Sequence, residues 1–254
     1  MTAPEPILPP GYRLARYDRI ASTNEEAKRL GRDRSRPPIV VWASEQTAGR
    51  GRRGRAWASP PGNLYLSLLL RPDCAAKRAP QLSFVAAVAL ADSLADFLPE
   101  EAPVSCKWPN DILLGGRKTA GILLESETGE GGGLAFLIVG VGVNLVSSPR
   151  DSEFPATSLA EAGAPPVAPA RLLERFVADF DRWQRRWREE GFAPVRERWL
   201  ARASFLGQRI RVRLDTVGLC GRFLDIDAEG ALLLEAGGER RRVAAGAVFP
   251  ATGG

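Results

Sequence analysis

Apolar and polar positions along the 254-residue chain fall into three regimes behind a Pro-rich start of eleven residues that reads as an extended arm. In the first regime, short apolar runs alternate with helical stripes. Ser22-Thr23-Asn24-Glu25-Glu26 reads as a helix start, with a Ser or Thr cap, acidic residues in the first turn, and Ala27 and Leu30 on one face. Pro37-Pro38 breaks the chain before Ile39-Val40-Val41-Trp42-Ala43, a short buried strand. Residues 63–70, 119–126 and 134–145 read as strongly apolar strands, the last two separated by a flexible GEGGG turn at 129–133. Leu82, Val85, Ala86, Ala89, Leu90, Leu94 and Phe97 form a helical stripe over 82–98. Residues 104–108 and 112–114 suggest a hairpin turning on Pro109-Asn110-Asp111.

The second regime is a Pro/Ser/Ala-rich loop at 147–169 followed by a helix over 170–190, with Leu172, Leu173, Phe176, Val177, Phe180, Trp183 and Trp187 on one face. The third begins at Gly207, where Arg209 to Leu214 alternates strictly and Gly or Asp turns separate four or five short strands. Strands and helices lack the regular alternation of a doubly wound sheet. The expected class is α+β: a mixed-sheet domain at 1–205 and a small all-β barrel at 206–254.

Composition changes this picture chiefly by exclusion. The chain has no histidine, so no Ser-His-Asp or Cys-His nucleophile, no His-ligated zinc and no imidazole switch can be built. Cys74, Cys106 and Cys220 are scattered and show no C-x-x-C, which fits a reducing cytosol better than a disulfide framework. The N-terminus lacks a charged start and apolar run, and no stretch approaches a spanning helix. The expected localisation is therefore cytoplasmic, with no membrane partner. Net charge is a modest +5, which permits acidic partners without demanding nucleic acid. The positive charge comprises 31 Arg and four Lys (Lys28, Lys77, Lys107, Lys118), and two of the lysines lie within twelve residues of each other. Compositional bias accounts for the arginine excess but not for that clustering.

Gly49-Arg50-Gly51-Arg52-Arg53-Gly54 matches the dinucleotide fingerprint G-x-G-x-x-G, but no helix can begin there, because the loop runs on to Pro60-Pro61. Four Arg and three Gly in seven residues repel one another and expose backbone N–H groups. Such a segment stays mobile until an anion arrives, then grips it through guanidinium forks and peptide amides. A solvated basic loop and a nucleic-acid contact with Trp57 stacking are the other readings; flanking strands and Gln46-Thr47 favour a lid over a pocket. Lys107 stands in the tight Cys106-Lys107-Trp108-Pro109-Asn110-Asp111 turn, and Lys118 opens a strongly apolar strand. Taken alone, each is equally a lysine snorkelling from a strand end.

In order, STNEEAK (22–28), QTAGRGRRGRAW (46–57), NLYLSLLLRP (63–72), KWPNDILL (107–114), GRKTAGILLE (116–125) and VGVGVNL (139–145) resemble the biotin–protein ligases. The resemblance implies a class II synthetase-like mixed-sheet catalytic domain and an SH3-like C-terminal domain. Only about twenty residues precede the STN motif, so the short form without an N-terminal DNA-binding domain is expected. It further implies biotin and ATP as substrates, Mg2+, and transfer of biotin through biotinyl-5′-AMP to a lysine of a biotin carboxyl carrier protein, that of acetyl-CoA carboxylase or another biotin-dependent carboxylase. DNA is not an expected partner, and a homodimer is allowed. A lipoate or octanoate ligase and an Arg-loop nucleic-acid module are the alternatives.

By match to the family's motifs, Ser22, Thr23, Asn24 and Gln46 bond biotin's ureido and neighbouring groups. Arg50, Gly51 and Arg52 close over carboxylate and phosphate, with Arg53 and Asn144 on the nucleotide side. Lys118 meets the biotin carboxyl, Lys107 a phosphate, and Asp111 the carrier lysine, with a metal contact as its alternative. Gly121, Ile122 and Leu124 wall the apolar side, Trp57 packs the loop, and 147–169 covers adenosine. The reaction needs no enzyme nucleophile, because the attacking carboxylate is already ionised at neutral pH. The site's work is positioning and fixed positive charge, which Arg and Lys supply.

Overall fold

The computed structural model describes residues 5–33, 36–99, 102–129, 133–214 and 218–251; most of the glycine turn expected at 129–133 lies outside these residues. Residues 5–12 run without regular structure, as expected of the arm. The next segment departs from the sequence reading, because Arg13–Ile20 is a strand (β1). Arginines at 13, 16 and 19 break the two-residue period there, and none of its eight positions is buried, because it is a sheet edge. Helix α1 (Thr23–Arg32) crosses from β1 to β2 (Ile39–Gln46), which pairs parallel to β1. Ser22 occupies the N-cap with extended backbone but makes no side-chain cap bond, since its side chain faces the cavity described below.

β3 (Leu64–Leu70), β4 (Val104–Lys107), β5 (Asp111–Leu114), β6 (Arg117–Thr128) and β7 (Leu134–Val143) complete a seven-stranded sheet of order β1-β2-β3-β7-β6-β5-β4. Every pairing in it except β1–β2 is antiparallel, giving the mixed sheet expected. Period-two alternation gives its strands two apolar faces. Val40, Leu66, Leu68, Val139, Val141 and Ile122 meet α2 (Gln81–Ala95), α3 (Pro169–Glu190) and α4 (Ala193–Leu200) in the main core. Val41, Leu69, Phe136 and Ile138 face α1 in a smaller cluster. α1 covers only part of that second face, and the uncovered part is where the cavity opens.

α4 has no sequence counterpart in the reading above; it follows Gly191 (φ 80) and buries Val195 and Trp199, one turn apart. The C-terminal strands β8 (Arg209–Arg213), β9 (Gly218–Ile226), β10 (Leu232–Ala236), β11 (Glu239–Val243) and β12 (Ala247–Pro250) form one sheet of order β11-β10-β9-β8-β12. It does not close into the expected barrel, since β11 and β12 do not pair among the described residues. Ile210, Val212, Phe223, Ile226, Leu232 and Leu234 instead join the core that α2 and α4 build. Trp108 Nε1 donates to Gly230 O at 3.0 Å, and Gln81 Nε2 to Ala228 O at 3.0 Å. The sheet's apolar face is covered by its neighbour, so closing on itself is unnecessary.

Candidate active site

A cavity of about 690 Å³ lies on the α1 face of the large sheet, within the range that holds a small ligand. Its floor follows from strand sequence. In β7, Val139, Val141 and Val143 point to the helices, which puts Gly140 and Gly142 on the cavity side; Gly121 of the adjacent β6 joins them. Glycines on one strand face let other groups approach the backbone closely. A Cβ on Gly142 would stand 2.5 Å from Trp57 Nε1, one on Gly121 would stand 3.1 Å from the same ring, and one on Gly140 would overlap Asn24 Oδ1.

Residues 49–57 fold as a hairpin over this floor. Gly51 N donates to Arg55 O at 2.7 Å and Trp57 N to Gly49 O at 2.9 Å, and Trp57 is laid onto the glycines. Its Nε1 is buried without a hydrogen-bond partner among the described residues, which marks an unused donor beside the cavity. Arg50 reaches Glu25 at 3.2 Å on the rim. Arg52 donates to Asn110 Oδ1 at 3.4 Å and to Gly246 O at 3.3 Å, tying the loop to the C-terminal sheet. Arg53 takes a positive φ of 57° beside the cavity, and Gly51 lines it.

One end of the cavity is neutral. Thr23 N donates to Gln46 Oε1 at 2.9 Å, Gln46 Nε2 donates to Ser59 Oγ at 2.9 Å, and Ser22, Thr23 and Asn24 are buried along the wall. The other end is charged. Lys107 and Lys118 each meet one oxygen of Asp111 at 2.6 Å. Lys107 Nζ also lies 4.3 Å from the centre of the Phe154 ring, and Lys118 Nζ lies 5.3 Å from that of Trp57. Burial alone would raise the Asp111 carboxyl, but the two ammonium groups outweigh it and hold the pKa below the ordinary carboxylate value. Burial pulls the Lys107 ammonium below its usual value, with Asp111 opposing.

The cavity therefore gathers every residue singled out from the motifs as a candidate binder, with two refinements. Leu124 belongs to the opposite face and packs on the main core; alternation along β6 gives its place on the wall to Leu123. Asn144 lines the cavity, but its Nδ2 donates to Thr157 O at 3.1 Å and anchors the 147–168 loop. Asp111, expected to meet the carrier lysine or a metal, is counter-ion to the chain's own two lysines. Sequence reasoning missed Ser67, Glu125, Gly140, Gly142, Glu153 and Phe154. Three of these carried a signal: V-G-V-G-V repeats glycine on one strand face at 140 and 142, and Ser67 is a lone hydroxyl in an apolar strand. It also missed Gly246, Ala247 and Phe249, which bring the C-terminal sheet to the cavity.

A cavity with neutral partners at one end and cations at the other suits a ligase that activates a carboxylic acid, and comparison with known proteins supplies the family. The model of the biotin/lipoate A/B protein ligase family matches residues 17–144, and that of the biotin protein ligase C terminal domain matches 205–249. A biotin--[acetyl-CoA-carboxylase] ligase of Paracoccus denitrificans is 44% identical over 93% of this chain and 98% of its own length. The bifunctional ligase/repressor BirA of Bacillus subtilis is 36% identical over 89% of this chain and 70% of its own. A biotin protein ligase from Aquifex aeolicus, solved in complex with biotin and ATP, superposes with a TM-score of 0.80 at 25% identity, covering 93% and 97% of the two chains. The chain belongs to the biotin/lipoate A/B protein ligase family.

Proposed function

We propose that this chain is an ATP-dependent biotin–protein ligase. The observation that carries the reading is one cavity with urea-matched neutral groups at one end and a lysine pair at the other. A lipoate or octanoate ligase would need an apolar tunnel where Thr23, Asn24 and Gln46 stand.

The biotin carboxylate oxygen attacks the α-phosphorus of ATP, the bond to the β-phosphate bridge breaks, and pyrophosphate leaves. The amine of a carrier lysine then attacks the acyl carbon of biotinyl-5′-AMP, AMP leaves with the C–O electron pair, and the amine proton passes to solvent. Ser22, Thr23, Asn24 and Gln46 hold the ureido group. Lys118 meets the carboxylate as it turns into acyl phosphate, and Lys107, Arg50, Arg52 and Arg53 stabilise phosphate charge. Gly51 offers its backbone, Gly121 the floor, and Asn144 holds the loop that covers the nucleotide. Asp111 keeps both ammonium groups aimed inward until the anions replace it as their partner.

The described residues build no protein cage for the magnesium that accompanies ATP. No group of three or more Asp, Glu, Cys or His that could hold a metal converges among the described residues, and both Asp111 oxygens are engaged. Such a cation is held mainly by the phosphates it neutralises. A catalytic domain at 1–205 and a C-terminal domain at 206–254 remain the proposed division; the two family matches support it, while the shared apolar core ties the parts together. The proposed partner is the carrier domain of acetyl-CoA carboxylase or a related carboxylase, in the cytosol. Three free cysteines fit that compartment, and no helix among the described residues is long and apolar enough to cross a membrane.

Incubating the purified protein with biotin, MgATP and a carboxyl carrier domain tests the reading directly. Carrier biotinylation and biotin-dependent ATP–pyrophosphate exchange are expected; absence of both overturns it.

A further inference from the structure

Behind the neutral end of the cavity runs a string of short hydrogen bonds that ends on a carboxylate. Lys28 Nζ holds Glu125 Oε1 at 2.6 Å, and Glu125 Oε2 accepts from Asn24 Nδ2 at 2.6 Å. Asn24 Oδ1 accepts from Ser67 Oγ at 2.5 Å, and Ser67 Oγ lies 2.8 Å from Thr23 Oγ1. Thr23 Oγ1 is also 3.1 Å from Gln46 Oε1.

Counting hydrogens fixes the direction of the string. An ionised carboxylate only accepts, so the Asn24 NH2 must face Glu125 and its carbonyl must face Ser67. An amide oxygen only accepts, so the single Ser67 hydrogen goes to Asn24. The contact between Ser67 and Thr23 then draws the Thr23 hydrogen towards Ser67, and the sole alternative inside the strip is Gln46 Oε1, which also only accepts. The Ser67 contact is the shorter, 2.8 against 3.1 Å, so the Thr23 hydroxyl spends its hydrogen on Ser67. It shows the cavity lone pairs, the complement of a ligand N–H. Gly140 beneath Asn24 leaves room for the amide to lie flat, and burial of Ser67 and Asn24 keeps water from breaking the string.

We infer that Glu125, which stands outside the cavity lining, is a positioning residue whose carboxylate sets Thr23 as an acceptor for a ureido N–H. The inference rests on the proposed function, since biotin supplies that ureido group. The Glu125 carboxyl is held below its ordinary value: burial pushes it up, and Lys28 and Asn24 more than offset this. A glutamine at this position could present either end of its amide, which frees Asn24 to flip and Ser67 and Thr23 to reverse.

Steady-state kinetics with biotin, MgATP and a carrier domain test this. Glu125→Gln should raise the KM for biotin about tenfold, the scale of one misdirected hydrogen bond, while kcat and the KM for ATP change less than about twofold. Asn24→Asp alone should be worse, because it sets two carboxylates in contact. The Asn24→Asp/Glu125→Gln double variant should recover, because the introduced carboxylate accepts from both the new amide and Ser67 and restores the direction of the string. A merely structural role would not give this reciprocal rescue. An unchanged biotin KM in Glu125→Gln, or a double variant no better than the worse single, overturns the inference. Should Glu125→Gln fail to fold, Ser67→Ala and the double variant decide it by the same readout. No turnover of biotin by the unmodified protein would overturn the proposed function itself, and with it the ligand assigned to the strip; normal turnover with indifferent variants would overturn the relay alone.

Discussion

At the lysine end of the cavity, two lysines lie within hydrogen-bond reach of one carboxylate and all three residues fall within twelve positions of sequence, carried by one hairpin and the strand after it. At the neutral end, Thr23 and Asn24 come from α1, Gln46 from β2, Ser67 from β3 and Glu125 from β6, across a hundred residues of chain. The charged end gathers its cations from groups that local sequence places. The neutral end has no strong single interaction and depends on the sheet to bring weak ones into register. Strength is local in this protein, whereas selectivity is a product of the whole fold.

The sharpest way to break the charged end is Lys118→Ala. Adenylate formation should fall about 100-fold or more, the scale of removing one transition-state donor, as read by biotin-dependent ATP–pyrophosphate exchange. Near-normal exchange would show that the lysine pair is structural. Arg50→Ala should approach the same loss, because the loop must swing Arg50 from Glu25 onto phosphate; near-normal exchange would leave Arg50 its rim contact alone.

Asp111→Asn probes the same end through stability. It leaves the buried Lys107 ammonium and the half-buried Lys118 ammonium without a counter-ion, and breaking a buried pair from one side costs about 3–5 kcal/mol. Because the folded Asp111 pKa lies below its ordinary 3.8, its contribution is fully present above that value and is lost as pH falls through the folded one. Acid unfolding of the unmodified protein should therefore steepen below about pH 4, and that component should be missing from Asp111→Asn. An identical acid limb in both would refute the counter-ion role.

The contrast also explains what was legible in the sequence. The residues proposed to bind anions stood out because Lys is scarce here and Arg crowds a glycine-rich loop, both anomalies visible in a window of a dozen residues. Strands of the central sheet were legible from their apolar runs. β1 was not, because an edge strand with no buried position carries no burial pattern. Ser67, Glu125 and Gly140 become meaningful only when β3, β6 and β7 are paired in register, and Gly140 does face both Ser67 and Leu123 across its two neighbours. The expected barrel failed for a related reason: alternation shows that one face of the C-terminal strands is buried, not what buries it.

Gly140→Ala tests the neutral end at the next scale. Its methyl would overlap the Asn24 amide, which is pinned by Ser67 and Glu125 and cannot move without losing one of them. Biotin KM should rise about tenfold with kcat nearly kept, as expected when a binding contact alone is lost. A matching fall in kcat would place Asn24 in the chemistry instead and blur the distinction between the two ends.

The smallest effect is expected at the seam between the halves of the chain. Glu153 pairs with Arg55 of the lid at 3.3 Å and with Arg213 of β8, so one carboxylate joins lid, covering loop and C-terminal sheet. All three side chains are 43–51% exposed, and exposed pairs contribute only about 0–1 kcal/mol each. Glu153→Gln should therefore barely move the thermal midpoint in ordinary salt. What it removes is a restraint between the 49–57 loop, proposed as the lid, and a sheet held by the shared core. Faster protease cleavage within 49–57, with unchanged cleavage elsewhere, is the expected result. Unchanged cleavage there would mean that Arg52 on Gly246 and Trp57 on its glycine floor hold the lid without help from surface charge.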